Sequence, residues 1–436
     1  MERSLKKSFE YLEKSRKIIP SLTQTFSRAA YTFVEGTYPI YAKNAKGSHF
    51  FDVDDNEYID YLCGLGPVIL GYAYPRVDEA IKKQLENGIL FSLPHKLEID
   101  LSELLCDIIP SAEMVKFSKT GSGSATGAVR GARAITKREK IAYCGSGGVW
   151  HDWFAAIISR NQGVPKFNKD LIFPFDYNDI DGLESIFEQN KNEIACVFME
   201  PTIFDKPQND FLKKTKKLAA ENDSILIFDE IVTGFRFSNG GAQELFGIEP
   251  DITVIGKGMA NGMPLSAIVG KTEFMKIFDD VFFSTTYAGD TLSLAASFAT
   301  VSEIKEFSVV QKIWERGTIL MNEFNKITQE NKLDIKLDGY PVRMKLVARD
   351  SNGQDSVLLR SLLIQELVKR GIFFHPGVEY ISYSHDKEDI QKTLDSLVAV
   401  IPILKKAVEE NKVESYLEGK PSKSVYSVIK PSAKKD

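Results

Sequence analysis

The sequence predicts an α/β protein: a large domain on a mostly parallel sheet covered by helices, with a smaller α+β domain beside it. Three observations carry this. Short apolar runs at Val115–Phe117, Lys140–Tyr143, Ala195–Met199, Ile225–Phe228, Ile252–Ile255 and Ala267–Val269 alternate with helical patterns between about residues 77 and 302. The run Ser224–Phe228 is nearly unbroken and stops abruptly at Asp229-Glu230, as a buried strand meeting a polar edge does. With 436 residues, 43% hydrophobic and 26% charged, the chain has the composition of an ordinary soluble protein and the length for about two or three domains.

In chain order, residues 1–20 read as an amphipathic helix with Leu5, Phe9, Leu12 and Ile18-Ile19 on one face. Strand-like pieces follow, Ser48–Val53 and Glu57–Tyr61, joined by Asp54-Asp55-Asn56. That acidic stretch lacks the glycine and distal glutamate of a calcium loop and reads as a hairpin turn. Residues 1–75 form an N-terminal segment of the small domain, and 76–325 the large domain, closed by one long helical stretch from Leu292 to Gln329. Residues 326–412 form the C-terminal part of the small domain. Its strands are expected near Arg343–Ala348 and Glu379–Ser382, its helices near Val357–Arg370 and Lys387–Glu410. From 413 to 436 the chain is polar, with Gly419 and two prolines, and reads as an extended tail.

The formal charge of -5, from 55 basic and 60 acidic residues, argues against a nucleic-acid partner held by phosphate neutralisation. Cys63, Cys106, Cys144 and Cys196 form no CxxC pair, so zinc and redox spacings are absent and no metal site is expected. Core cysteines of this kind fit a reducing cytoplasm. The N-terminal MERSLKKSFEYLEKSRK is charged and has no apolar h-region, and no stretch approaches the ~20 apolar residues of a membrane span. A cytoplasmic location without a membrane partner is the expectation.

The chemistry centres on two strand ends. Asp229 follows Ile225–Phe228, and Gly256-Lys257-Gly258 follows Ile252–Ile255. In open α/β sheets that edge is where ligands bind. A glycine-flanked lysine there suits Schiff-base chemistry, and a carboxylate suits a protonated pyridine nitrogen. Pyridoxal 5′-phosphate (PLP) needs both. Taken singly, an Asp-Glu after a strand is also a common helix N-cap region, and Gly-Lys-Gly a common solvated loop. Thr120-Gly121-Ser122-Gly123-Ser124, between a strand and a helix, offers amides and hydroxyls to a phosphate. It is neither a Walker loop nor a GxGxxG fingerprint. Ser284-Thr285-Thr286 precedes another helix and supplies either a phosphate ligand or a turn capped by Asp290 or Thr291. In Gly147–Trp153 a flat side chain such as Trp150 either stacks on a cofactor ring or packs into the core. His151 has no partner at metal-ligand spacing.

Glu200-Pro201, LIFDEIVTGFR (Leu226 to Arg236), PDITVIGKGMANGMPLSAIVG (Pro250 to Gly270) and STTYAGDTLSLAA together resemble the class III PLP-dependent aminotransferases, closest to the glutamate-1-semialdehyde aminomutase-like branch. The resemblance runs from DVDDNEYIDYLCGLGPVILGYAYP to ISYSHDKEDI. It implies PLP-dependent transferase fold type I, with a mostly parallel seven-stranded sheet, and a homodimer with active sites at the interface. By the same resemblance Lys257 is the Schiff-base lysine, Asp229 the acid of the pyridine nitrogen, and Ile231 the residue packing on the ring. Gly121 and Ser122 form the phosphate turn. Thr286 is the phosphate threonine reaching over from the neighbouring subunit, and Glu200 an active-site glutamate. Arg28, in FSRAAYTF, resembles the arginine that binds a substrate carboxylate.

There are departures. Gly123 stands where many relatives carry glutamate. Ser146-Gly147-Gly148 replaces an aromatic-His-Gly, and only a shifted alignment brings Trp150-His151 there. The lysine segment reads Lys-Gly-Met-Ala-Asn-Gly-Met-Pro, and VEYISYSHD lacks the arginine that many class III transaminases use. The resemblance implies an aminotransferase moving an amino group from an amino-acid donor to a ketone or aldehyde acceptor. Association of the GKGMANGMPLSA pattern with amino-sugar and surface-polysaccharide enzymes points to a sugar-like or phosphorylated acceptor. The alternatives are glutamate-1-semialdehyde 2,1-aminomutase, a decarboxylase of the same family, and an inactive binding module of the same fold.

Overall fold

A computed structural model describes residues 3–425 and 427–429. Two compact units emerge. One combines the residues up to Tyr74 with Gln311–Val425, and the other consists of Pro75–Val310 with the described C-terminal residues.

The second unit holds a seven-stranded sheet in the order Met114–Ser118, Ser266–Gly270, Ile252–Ile255, Ile225–Glu230, Ile194–Met199, Lys140–Cys144, Ile172–Pro174. All neighbours are parallel except Ser266–Gly270, which runs antiparallel to both strands beside it. Alternation along each strand divides the side chains between two cores. Ile141, Cys196, Phe198, Ile225, Ile227, Ile252 and Val254 pack on one face with Ala125, Ala128, Val129 and Ala132 of helix Gly121–Thr136. Ala142, Val197, Met199, Leu226 and Phe228 pack on the other with Leu183, Phe187, Phe211 and Leu212. Burial on both faces is what makes these strands read as apolar runs.

The other unit carries two antiparallel-rich sheets. One has Ala42–Lys46, His49–Asp52, Glu57–Asp60 and Ile372–Phe373, the other Ile335–Tyr340, Arg343–Ala348 and Glu379–Tyr380. The hairpin turn at 53–56 forms around Asp52, whose Oδ1 accepts from the amides of Asp54 and Asn56 at 2.9 and 2.8 Å.

Several elements differ from expectation. The first helix spans only Lys6–Ser15, and Ile18 lies exposed beyond it. The long helical stretch is two helices, Thr291–Glu306 and Val309–Glu330, broken where Ser308 takes a left-handed φ of 52°. The unit division falls at Val310/Gln311, inside the second of these helices, rather than near 325. The segment after 413 begins with the short helix Val413–Tyr416, and its residues bridge back to the chain at Glu35–Lys420 and Ile158–Val428. No helix among the described residues is long and apolar enough to cross a membrane.

Candidate active site at the C-terminal edge of the sheet

Register places the site. Cys144 lies opposite Met199, Met199 opposite Phe228, and Asp229 opposite Val254. The next residue after Met199 is Glu200, so Glu200 and Asp229 stand in one row on neighbouring strands. Lys257 follows two residues after Ile255 on the strand beside Asp229. Strand alternation puts Asp229 on the face of Ile225 and Ile227, the face covered by helix Gly121–Thr136, and turns Glu230 to the opposite face. Ser118 ends its strand on this same edge, because two antiparallel pairings restore the parallel direction.

Lys257 opens the short helical turn Lys257–Ala260 with φ 42°, a left-handed conformation unusual for a side-chain-bearing residue. Such strain persists where the surroundings over-determine it, and it clusters at functional sites. Lys257 and Asp229 are half-buried, within reach of solvent yet flanked by core. The Oδ1 of Asp229 accepts from the amide of Ile231 at 3.1 Å, which fixes the carboxylate at the strand end.

The adjacent carboxylate does a different job. Glu230 is buried and accepts from Thr233 Oγ1 (2.7 Å), the amides of Ala242 (2.5 Å) and Gln243 (3.0 Å), and Gln243 Nε2 (3.0 Å). Burial pushes its pKa up, while those donors oppose the shift. A Cβ at Gly241, which has φ 88°, would collide with this carboxylate. Of Asp229-Glu230, the second residue is thus the structural anchor that an Asp-Glu pair can be.

Helix Gly121–Thr136 starts at the edge. Thr120 is its N-cap, and its Oγ1 accepts from the Gly123 amide at 3.0 Å. The amides of Gly121 and Ser122 have no partner inside the helix, as helix geometry requires, and carry the positive end of the helix dipole. A Cβ on Gly121 would stand 2.6 Å from Ile231 Cδ1, so glycine is what lets the helix start close over Ile231. Ser122 makes long 3.4 Å contacts with the Gly148 carbonyl and the Trp150 amide. Thr126 Oγ1 meets His151 Nδ1 at 2.7 Å and accepts from Trp153 Nε1 at 2.8 Å, which moors the aromatic turn over this helix. Burial lowers the His151 pKa. Trp153 belongs to the core, whereas Trp150 is 72% exposed with its ring edge-on to His151.

Glu200 is buried, and its Oε1 accepts from both the amide (2.7 Å) and the hydroxyl (2.5 Å) of Ser146. That pairing, which ties loop 145–148 to the strand row, escapes a sequence reading because it depends on which strands are neighbours. Thr286 begins the short helical turn Thr286–Gly289 and is exposed. Asp290 caps the helix behind it, accepting from the Leu292 amide at 3.1 Å and pairing with Lys119 Nζ at 2.5 Å. Arg28 belongs to the other unit. It is exposed, and its Nη2 donates to the Gly64 carbonyl at 3.0 Å.

These donors fit PLP: free amides at a helix start for a phosphate, a carboxylate for a cationic ring nitrogen, and a primary amine for an aldehyde. Residues 31–401 match the family model "Aminotransferase class-III". The chain is 34% identical to a 3-aminobutyryl-CoA aminotransferase of Cloacimonas acidaminovorans over 411 residues, 92% of this chain and 98% of that protein. It is 33% identical to a glutamate-1-semialdehyde 2,1-aminomutase of Acetivibrio thermocellus over 423 residues, 90% and 97% of the two chains. Among solved structures, the FumI protein of Sphingopyxis sp. MTA144 superposes with a TM-score of 0.88 at 23% identity, covering 96% of this chain and 99% of that one. An omega-transaminase from Sphaerobacter thermophilus gives 0.83 at 24%, covering 91% and 98%. The fold is thus that of the fold-type-I PLP-dependent transaminases, and the chain belongs to the class III aminotransferases, a family whose cofactor is PLP.

Proposed function

We propose that this enzyme moves an amino group from an amino-acid donor to a ketone or aldehyde acceptor, using Lys257 and Asp229. The observation that carries the reading is the parallel register that sets Asp229 beside the strand leading to Lys257. Bound PLP supplies an aldehyde that captures a primary amine and a ring that accepts the electron pair left on the substrate carbon. Lys257 Nζ would hold the cofactor's aldehyde carbon and would serve as the general base for the proton on the substrate carbon. The Asp229 carboxylate keeps the proton on the ring nitrogen. The amides of Gly121 and Ser122 bind the phosphate, and Ile231 packs on the ring. Trp150 is the candidate for the ring's other face, Glu200 holds loop 145–148 in place, and Arg28 receives a substrate carboxylate.

The same reading makes the enzyme a homodimer with Thr286 serving the phosphate of the neighbouring subunit. Its support is the surface around Thr286. Phe282, Tyr287, Leu93 and Ile99 are 79%, 63%, 78% and 61% exposed, and the segments carrying them meet where Thr291 donates to the Ile89 carbonyl at 2.9 Å. Apolar surface of this kind marks an interaction site, and a second copy is the occupant proposed.

The narrower acceptor reading is a sugar-like or phosphorylated carbonyl compound of amino-sugar or surface-polysaccharide synthesis. A second, a 3-oxoacyl thioester, is favoured by the 34% identity to the 3-aminobutyryl-CoA enzyme. The test is to load the enzyme with PLP, add amino acids singly and follow loss of the visible cofactor band. The aminated enzyme is then offered keto-sugars, a 3-oxoacyl thioester and other carbonyl compounds. Recovery of the band identifies the acceptor. Formation of 5-aminolevulinate from glutamate 1-semialdehyde would instead assign the aminomutase reaction, and absence of any bleaching would overturn the catalytic reading.

A further inference from the structure

Asp60 and Tyr72 have no part in the proposed handling of PLP, yet they form a built device in the unit that carries Arg28. Asp60 ends the strand Glu57–Asp60 and is 4% exposed. Its Oδ1 accepts from the Leu62 amide at 2.8 Å, and its Oδ2 accepts from the Tyr72 hydroxyl at 2.6 Å. The backbone at Cys63 and Gly64 also favours its charged form, against the burial that raises its pKa. Directly after comes a run of four left-handed residues: Cys63 (φ 48°), Gly64 (64°), Leu65 (76°) and Gly66 (95°).

Left-handed backbone is unfavourable for a side-chain-bearing residue, because its Cβ crowds the following carbonyl. Two of these four bear side chains, so the turn needs an external hold to persist. The amides of Leu65 and Gly66 close the turn on the Leu62 carbonyl at 2.9 and 3.1 Å, the buried carboxylate anchors its start at the Leu62 amide, and Gly66 closes against the Tyr380 ring, 3.3 Å from where a Cβ would sit. The turn presents the Gly64 carbonyl, to which Arg28 Nη2 donates at 3.0 Å. Arg28 lines a cavity of about 360 Å³ together with Phe33, Asp60, Gly64, Tyr72 and Phe373. Arg28 forms no ion pair among the described residues. Among the described residues lining that cavity, Asp60 supplies the one carboxylate, and it is committed to the Leu62 amide and to Tyr72. The guanidinium is thereby aimed by a neutral carbonyl and keeps its charge for an incoming anion.

We propose that Asp60, locked by the Tyr72 hydroxyl, is a positioning residue for Arg28: it holds the left-handed turn whose Gly64 carbonyl aims the guanidinium, and so sets the preference for substrates that carry a carboxylate. This rests on the reading of Arg28 as the carboxylate-binding residue, and the experiment separates the two. PLP-loaded enzyme is compared with Tyr72→Phe, Asp60→Asn, Arg28→Gln and Tyr72→Phe/Arg28→Gln. Each is assayed with an α-amino acid and with the corresponding amine lacking the carboxylate, and the ratio of their kcat/KM values measures the preference.

The expected result is a fall of about tenfold in that ratio for Tyr72→Phe and for Asp60→Asn, carried by KM of the amino acid rather than by kcat. The double variant should be no worse than Arg28→Gln alone, because both changes act through one guanidinium. Tyr72→Phe keeps the ring and decides the matter even where Asp60→Asn does not fold. A reduced ratio in Arg28→Gln with a wild-type ratio in Tyr72→Phe would overturn the positioning role and leave Arg28 standing. A wild-type ratio in Arg28→Gln would overturn the reading of Arg28 itself, and the proposal with it. An equal fall for both substrates in Tyr72→Phe would mark a purely structural tyrosine and also contradict the proposal.

Discussion

Two turns of this protein look alike in sequence, Thr120–Ser124 and Ser284–Asp290. Each is rich in hydroxyls; the first opens a helix of 16 residues and the second leads into one. Their surroundings differ. The first is enclosed by its own unit: Thr120 caps Gly123, Gly121 closes on Ile231, and Ser122 and Thr126 moor the aromatic turn. The second has a capped, ion-paired back, where Asp290 meets Lys119, and an open front in which Thr286, Phe282 and Tyr287 face solvent. Turn chemistry alone therefore does not say whose ligand a turn holds; what covers it does. On the proposed function, a turn complete within its chain would serve its own strand edge, and one with an uncovered front would serve a second copy.

Variants test the two sides of this contrast. Lys257→Ala should abolish turnover and the borohydride-fixed attachment of PLP. Peptide mass mapping checks this, and a cofactor still fixed to another lysine would break the assignment of the edge. Asp229→Asn should keep PLP bound and lose most activity, because an amide does not stabilise a ring cation. The expected barrier increase is several kcal/mol, each ~1.4 kcal/mol being tenfold in rate. A near-normal rate would make Asp229 a local cap like its neighbour Glu230.

On the open turn, Thr286→Ala should weaken PLP affinity by about 1.5–3 kcal/mol, the range of a charge-assisted hydrogen bond, as read by cofactor titration. The smallest effect belongs to a pair in the other unit. His49 Nε2 meets Asp389 Oδ1 at 2.7 Å, and this bond raises the His49 pKa. A raised histidine contributes stability below its unfolded pKa and loses it as pH rises through the folded value. The partner Asp389 is lowered against its burial by bonds from His49 and Ser48, so its contribution is lost as pH falls through its own folded value. His49→Gln should therefore lower the free energy of unfolding slightly at pH 5.5–6, by less than about 1 kcal/mol because the histidine is partly exposed, and by less at pH 8. Denaturation curves at the two pH values check it. An effect larger at pH 8 would contradict the sign.

Much of the large unit was legible because its strands are buried on both faces and so appear as apolar runs. Asp229 and Lys257 stand out for the same reason, as the polar residues at which two such runs stop. The strand Ile172–Pro174 was not legible: it is three residues long, sits at the sheet edge and ends in proline. Ile335–Tyr340 alternates polar residues and contains Gly339, which hides it. No glycine or proline marks the break at Ser308. The Glu200–Ser146 tie and the Asp60–Tyr72–Arg28 device join residues distant in sequence, and only strand register and loop conformation bring them together.

The most direct test of the contrast between the turns is subunit mixing. Lys257→Ala lies on the strand edge and Thr286→Ala on the open turn, and heterodimers of the two are isolated and confirmed by mass. If the turn serves the neighbouring subunit, one site carries both defects and the other neither. Activity should then recover to about half of wild type per dimer, with wild-type PLP affinity at the intact site. Heterodimers that show no such intact site, each active centre carrying one of the two defects, would place both residues in the same subunit's site and contradict the account.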